Sequence, residues 1–326
     1  MFSDQNSHGE PEDNLLNRPL ADYYLVLISA VLLLGLGVMM VLSASSPYAG
    51  GNPEIRSPYT FAIRQTIFLA AGGVVGWIIS RLQPKVLARF GRLAITFAAL
   101  LLLAVALLAV FSSSAAIGTR GNTNWLGISK QLAIQPSEFA KLALVLWASA
   151  TFSERVRKLD QPEKLIIPFV PVSAILIGLV LAGKDLGTAM ILGLIVLSLL
   201  WFVGTPMRIL AGLGAVAGVV AGLLAMTSAN RLTRIKVWLD PASDPDIAAQ
   251  PIASMYALAS GGWWGVGLGA GKQKWGGLRN GAHTDFIFSV IGEELGLVGV
   301  LVVLTLFAIL GFAGLRVALR SDHPLP

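Results

Sequence analysis

No cysteine occurs among the 326 residues, which excludes a disulfide framework, a thiol nucleophile and thiolate metal ligation. Histidine is nearly as scarce: His8, His283 and His323 are too few and too scattered for a zinc cluster. Charge is the most telling shortage. Only 13% of residues are charged while 55% are hydrophobic, and the mean hydropathy is +0.73. A soluble domain carries about 25% charged residues, so this chain has too little polar surface to coat a globule of its size. The same numbers exclude disorder, which needs low hydrophobicity, and argue against two soluble domains, the expectation from length alone. A net charge of +6 raises the question of nucleic acid. The basic residues lie between apolar runs, however, where membrane orientation accounts for them, and no nucleic-acid partner is expected.

What is abundant is apolar runs. About 20 apolar residues are needed to cross the hydrocarbon core, and eight runs approach that length: Tyr23–Leu42, Phe61–Ile79, Leu93–Phe111, Ser137–Phe152, Leu165–Leu181, Gly187–Val203, Ile209–Met226 and Phe286–Leu310. The expected fold is therefore an all-α polytopic membrane protein with eight spans. The first run follows a polar tail (Met1 to Ala21) and precedes further spans, so it reads as a span and not as a cleaved signal peptide. Lysine and arginine in the short loops set the orientation. Arg81, Lys85, Arg89 and Arg92 lie in the second loop, Arg155, Arg157, Lys158 and Lys164 in the fourth, Arg208 in the sixth, and Arg316 and Arg320 after the eighth span; the first loop holds only Arg56. The even loops and both termini are thus expected in the cytoplasm. The odd loops, including Ser112–Gln135 and the stretch Thr227–Thr284, are expected outside. A structureless connection of about 58 residues is uncommon and usually functional.

Five constellations in or beside these outer loops could carry chemistry. The first is His283-Thr284-Asp285-Phe286-Ile287-Phe288 with Gly292-Glu293-Glu294-Leu295-Gly296. Thr284 or Asp285 could simply cap the last span; alternatively Asp285 is a carboxylate at the outer interface, where partial desolvation suits a general base. On one continuous helix Glu293 and Glu294 would lie about 12 Å deeper, about 80° and 180° around from Asp285, so the three would not share a face. Two adjacent intramembrane glutamates need partners.

The second constellation is Gln135-Pro136-Ser137-Glu138-Phe139-Ala140-Lys141, a helix start whose Glu138 and Lys141 can pair at i, i+3 or face a substrate. Gly183-Lys184-Asp185-Leu186-Gly187-Thr188 is either a tight turn or a place where backbone approaches a ligand. Arg231, Arg234 and Lys236, ahead of Asp240-Pro241, form an outer basic group that positive-inside bias does not explain. They are a solvated face or an anion site with arginine suited to phosphate. Gly261-Gly262-Trp263-Trp264-Gly265-Val266-Gly267-Leu268-Gly269 lacks the βαβ context of a dinucleotide fingerprint and reads as a flexible, aromatic, interfacial loop.

Together these segments resemble the SEDS family (FtsW, RodA, SpoVE), the polytopic peptidoglycan glycosyltransferases. The likeness rests on Gln135-Pro136-Ser137-Glu138 with Lys141, Asp185-Leu186-Gly187-Thr188, and Arg231 through Asp240-Pro241. It continues with Gln250, Ala257, Gly261-Gly262, Gly267-Leu268-Gly269, Gln273-Lys274, and His283 through Gly296. The end of the first span, through Ser43-Ala44-Ser45-Ser46, is closer to the FtsW branch. The chain departs from the family pattern at Asn124, at Gly183-Lys184 and at Arg279-Asn280-Gly281. The family has ten spans and a late Ser-Tyr-Gly-Gly motif, so this chain is expected to be truncated or a divergent short form. The implied organisation is a cytoplasmic tail over 1–21, a transmembrane domain over 22–316 containing a long outer loop over 227–285, and a C-terminal tail over 317–326.

The resemblance implies polymerisation of lipid II into glycan on the outer face of the bacterial cytoplasmic membrane, at the division septum, with release of undecaprenyl diphosphate. In that reading Asp285 is the catalytic base. Arg231, Arg234, Lys236, Glu138, Lys141, Lys184, Asp185, Gln250, His283 and Thr284 contact substrate. No cofactor carries the chemistry; a divalent cation on the diphosphate is compatible, with no dedicated ligand set in the sequence. The implied partners are lipid II and undecaprenyl-linked glycan, a class B penicillin-binding protein transpeptidase, and other divisome proteins. Two rival classes are a flippase for the same lipid, which would use the intramembrane charges as a polar path, and a non-catalytic scaffold for the transpeptidase.

Overall fold

The computed structural model describes residues 20–51, 55, 57–111, 116–119, 122–129, 132–154, 163–278 and 281–320. The expectations for the N-terminal tail before Leu20, for Arg155, Arg157 and Lys158, for Arg279 and Asn280, and for 321–326 lie outside these. All eight apolar runs are helical: α1 (Ala21–Gly50), α2 (Thr60–Ser80), α3 (Pro84–Phe111), α4 (Pro136–Glu154), α5 (Glu163–Ala182), α6 (Leu186–Phe202), α7 (Met207–Met226) and, last in the chain, α10 (Ile287–Arg320). Five of them, α1, α2, α3, α7 and α10, are long and apolar enough to cross a membrane, and α5 and α6 are shorter apolar helices.

Several boundaries differ from expectation. The helix α3 begins at Pro84, so Lys85, Arg89 and Arg92 ride on its first turns and not in a loop; proline suits a first helical position because its missing N–H has no partner there. The helix α1 runs on past Leu42 through Pro47 to Gly50, which brings Ser43 into the helix, and α10 extends to Arg320 into the expected tail. The architecture is all-helical as expected, with one local addition. The third loop holds a small antiparallel sheet, β1 (Ala116–Thr119), β2 (Asn122–Ser129) and β3 (Leu132–Ile134), ordered β1-β2-β3 with Ala116 opposite Leu126 and Leu126 opposite Ile134. Short runs with β-branched Ile117, Thr119, Thr123, Ile128 and Ile134 are too brief for a helix and suit strands. The stretch 227–284, far from structureless, contains α8 (Ala229–Leu239), α9 (Pro245–Ser260) and single 3₁₀ turns at Pro241–Ser243 and Gln273–Trp275.

The chain divides into two compact units. Among the described residues, one comprises the chain up to Ser80 together with the stretch from Arg234 onward, the other Arg81–Thr233. In the first, α1 packs against α10 and α9 against α10, around Met40, Ala44, Ala253, Ala257, Leu278, Val290 and Val303. Small residues let these helices approach closely, as in membrane interfaces generally. In the second, α3 and α4 make the largest pairing, around Ala98, Leu102, Ala140, Leu144, Phe169, Leu192 and Leu200. A Cβ at Gly91 would collide with the backbone of Leu146, which is why α3 and α4 can lie so close.

Candidate functional site

The junction leading into α10 is where Asp285 sits. Three donors converge on one carbonyl. The Thr284 and Phe286 amides donate to Gly281 O at 3.2 and 3.0 Å, and Thr284 Oγ1 lies 3.5 Å from it. The first helical amides, Ser289 and Val290, donate to Phe286 O at 3.0 and 3.2 Å. Phe286 therefore occupies the cap position, and neither Thr284 nor Asp285 takes the capping role that one of the two readings of this motif gives them. The turn before it leaves Asp285 exposed, with no described side chain bonded to it. Gln250 on α9 braces this turn, donating to Leu278 O at 3.3 Å.

Beside Asp285, the His283 ring is stacked on Tyr48 at 5.8 Å and lies 4.6 Å from Phe61. Burial pushes its imidazole below its ordinary value, while the Asp285 charge pulls the other way. The aromatic partners come from the end of α1 and the start of α2, more than 200 residues away, and nothing in the motif itself points to them.

Deeper in the same unit, Glu293 and Glu294 are buried and fully engaged. Glu293 accepts from the Lys272 amide at 2.7 Å and the Gln273 amide at 3.3 Å. Glu294 accepts from Lys274 Nζ at 2.6 Å, from Ser43 Oγ at 2.7 Å and from the Gly269 amide at 3.0 Å. Lys274 Nζ completes its shell on Ser43 Oγ and Ser43 O at 2.9 and 3.2 Å. These are the partners that buried charges need. Ser43 and Lys274 are among the residues carrying the resemblance, but neither is singled out there as a partner of Glu293 and Glu294, because the network joins Ser43 to positions more than 200 residues away.

The glutamates occupy these positions because α10 is broken. Gly296 has φ 68° and ψ −166°, values open to glycine. The backbone groups freed by the break pair with the glycine-rich loop: Val266 and Gly267 amides donate to Glu293 O and Glu294 O at 2.9 and 3.0 Å, and Leu297 and Val298 amides donate to Gly262 O and Trp263 O at 2.9 and 3.2 Å. A Cβ at Gly261, Gly265 or Gly296 would enter the backbone it faces. The loop expected to be flexible is thus docked main chain to main chain, and only its side chains are outward. Trp263 and Trp264 are 69% and 81% exposed.

In the second unit, Pro136 opens α4 and Lys141 pairs with Glu138 at 2.7 Å on a partly exposed face, a geometry of small energetic weight. Asp185 caps α6, accepting from the Thr188 amide at 3.0 Å and Thr188 Oγ1 at 2.8 Å, with Gln135 Nε2 at 3.4 Å. Lys184 turns the chain with φ 63° and is exposed. Arg231 is not turned out as a free cation. It donates to Leu224 O at 2.8 Å and to Lys184 O at 3.0 Å, fastening α8 to the end of α7 and the α5–α6 turn. Arg234 and Lys236 are exposed. Asp240 caps the turn that follows, accepting from the Ala242 amide at 3.1 Å. Among the described residues no group of three His, Asp or Glu side chains could hold a metal ion.

Residues 23–325 match the family model described as cell cycle protein, FtsW/RodA/SpoVE. A Mycobacterium tuberculosis protein named probable peptidoglycan glycosyltransferase FtsW is 36% identical over 310 residues, covering 95% of this chain; the chain spans 57% of that relative's length. A Trichlorobacter lovleyi protein of the same name is 36% identical over 312 residues, covering 94% of this chain and 80% of its own. Among solved structures, a chain from a peptidoglycan synthase complex aligns with a TM-score of 0.64 at 24% identity, over 92% of this chain and 79% of that one. The Thermus thermophilus rod shape determining protein RodA aligns with a TM-score of 0.57 at 23% identity, over 95% and 78%. At those identities the structural likeness speaks to the fold. The chain belongs to the FtsW/RodA/SpoVE family of cell cycle proteins, as an integral protein of the inner membrane.

Proposed function

We propose that this chain is a peptidoglycan glycosyltransferase that polymerises lipid II on the outer face of the cytoplasmic membrane during cell division. The names of its relatives support the reaction class. The observation that carries the site is Asp285: an exposed carboxylate on a braced turn, at the mouth of a broken, apolar helix. In the reaction the acceptor sugar hydroxyl attacks the anomeric carbon of the donor. The carbon–oxygen bond to the diphosphate breaks, the hydroxyl proton passes to Asp285, and undecaprenyl diphosphate leaves. The protein leaves Asp285 uncovered, so desolvation has to come from bound substrate or lipid, which would make the carboxylate a stronger base once the sugar is seated.

Arg234 and Lys236 are the cations on α8 available to a departing diphosphate; Arg231 supports them by fixing the helix. Gln250, His283 and Thr284 shape the turn that presents Asp285. Glu138, Lys141, Lys184 and Asp185 belong to the second unit, where a substrate contact would be additional to the pairing and capping they already do. We infer a class B penicillin-binding protein transpeptidase and other divisome proteins as partners, a septal location and a cytoplasmic N-terminus.

The test is Asp285→Asn, which keeps the side chain's shape and removes the anionic base. Polymerisation of labelled lipid II by the purified protein with its transpeptidase should fall about 100-fold or more at unchanged membrane abundance. Activity within a few-fold of wild type would eliminate Asp285 as the base. Transport of lipid II by a wild type that makes no polymer would favour a flippase.

A further inference from the structure

We propose that α8 lies in the plane of the bilayer interface, its outward apolar face inserted at the boundary between headgroups and acyl chains on the side where α7 ends. At about 100° per residue, a face centred on Ile235 takes in Leu232, Leu239 and Trp238, all within about 60° of the centre. Val237, on the opposite side of the helix, is the residue that is buried. An ordinary surface helix turns its apolar stripe toward its own core; α8 turns it away. Ile235 is 45% exposed, Leu239 71% and Trp238 81%, so among the described residues this face is left largely uncovered.

Three features identify a lipid surface as the cover. The first is continuity. The helix α7 is a candidate membrane span ending at Met226, only Thr227 and Ser228 separate it from α8, and the Arg231 bonds to Leu224 O and Lys184 O fix α8 at that end. The apolar face is therefore held at the level where hydrocarbon gives way to headgroups. The second is charge. Arg234 and Lys236 immediately neighbour Ile235, one on each side of the face at about 100°, where their long stems can reach back toward headgroup phosphates. The third is the aromatic content. Trp263, Trp264 and Trp275 in the same connecting segment are 69%, 81% and 70% exposed, and tryptophan favours the headgroup level. The inference does not depend on the polymerase reading. A lipid-linked donor would present the same phosphate chemistry at the same height, but the occupant proposed is the resident phospholipid.

The absence of cysteine allows clean single-cysteine labelling of the full chain. Asn230, Ile235, Leu239 and Asp240 are each replaced by cysteine, coupled to an environment-sensitive fluorophore, and reconstituted in phosphatidylcholine vesicles with and without an equal share of phosphatidylglycerol. All four positions are exposed, so unchanged thermal unfolding in detergent verifies the fold of each variant. Labels at 235 and 239 should be quenched by lipid carrying a nitroxide on its acyl chain and shielded about tenfold from aqueous iodide relative to the label at 230, as expected for a face sunk into the interface. In the anionic vesicles, Arg234→Gln with Lys236→Gln should reduce that quenching. Iodide reaching 235 and 239 as readily as 230 would overturn the proposal, as would protection that appears only at high protein density, which would mark a contact between copies.

Discussion

Arg231 and Arg234 stand three residues apart on one helix and do different work. The Arg231 guanidinium is spent on two main-chain carbonyls, and charge-assisted bonds of this kind contribute about 1.5–3 kcal/mol in favourable settings. Arg231→Ala should therefore lower thermal stability measurably in detergent. Arg234→Ala should leave stability unchanged and reduce lipid II turnover; equal turnover would show that Arg234 is only a solvated cation. The sequence displayed both as members of one basic cluster, because the carbonyls that claim Arg231 belong to helix ends that only the fold brings near. His283 gives a second residue-scale expectation. Burial holds its folded-state pKa below 6.5, so the unfolded chain takes up a proton first as pH falls. Its contribution to stability is complete above about pH 6.5 and declines as pH drops through the folded-state value, where it levels off. Comparing unfolding at about pH 7.5 and about pH 5.5 should show a loss in the wild type that His283→Phe, which keeps a ring between Tyr48 and Phe61, does not share.

At the scale of elements, the break in α10 is the feature that organises the site. A helix interrupted in an apolar setting exposes backbone groups that must find partners, and the glycine-rich loop supplies them in register: two carbonyls and two amides of α10 each meet a loop partner. The buried carboxylates reinforce the same docking, since Glu293 and Glu294 both accept loop amides and Glu294 also accepts from Lys274 Nζ. Gly265→Ala meets a positive φ of 78° and the backbone around Glu294; strain of this kind alone costs about 1–3 kcal/mol. Gly265→Ala and Gly296→Ala should both sharply reduce the folded yield in membranes. Gly72→Ala in α2, where nothing lies within 4 Å, should be neutral or slightly stabilising because a helix prefers alanine by about 1 kcal/mol. Comparable yields for all three would mean that the loop is not docked.

The glycines were visible in the sequence as glycines, but their purpose was not, since main-chain pairing leaves no side-chain signature and the partner segment lies some thirty residues downstream. The small sheet escaped for a related reason. Its strands are too short for a clear period and lie in a loop surrounded by strong helical signals. By contrast the eight helices were legible almost to their ends, because long apolar runs have few other solutions in a bilayer. The largest boundary shifts fall where polar or basic residues continue a helix, as Lys85, Arg89 and Arg92 do on α3.

For the whole molecule, chain direction decides which ends share a side of the membrane. Asp22, in the first turn of α1, pairs with Arg316 Nε at 3.0 Å and Arg320 Nη1 at 3.1 Å near the end of α10. Ser43, near the other end of α1, meets Glu294 in the first half of α10. These two helices are therefore antiparallel, and the start of α1 and the end of α10 belong to one side. The eight crossings expected from the sequence would require the same thing, and the lysine and arginine of the connecting loops support our proposal that this side is cytoplasmic. Under that proposal, strict alternation along the sequence would put the end of α1, the α5–α6 turn, α8 and the turn carrying Asp285 on the opposite face. Single cysteines at Gly51, Lys184 and Asp240, all exposed, should react with a membrane-impermeant maleimide in intact cells. A cysteine at Arg208, exposed at the start of α7, should react only after the membrane is opened. Reaction at 208 in intact cells would reverse the orientation and separate Asp285 from a substrate on the outer face; reaction at 51 without reaction at 240 would instead mean an odd number of crossings between α2 and α8.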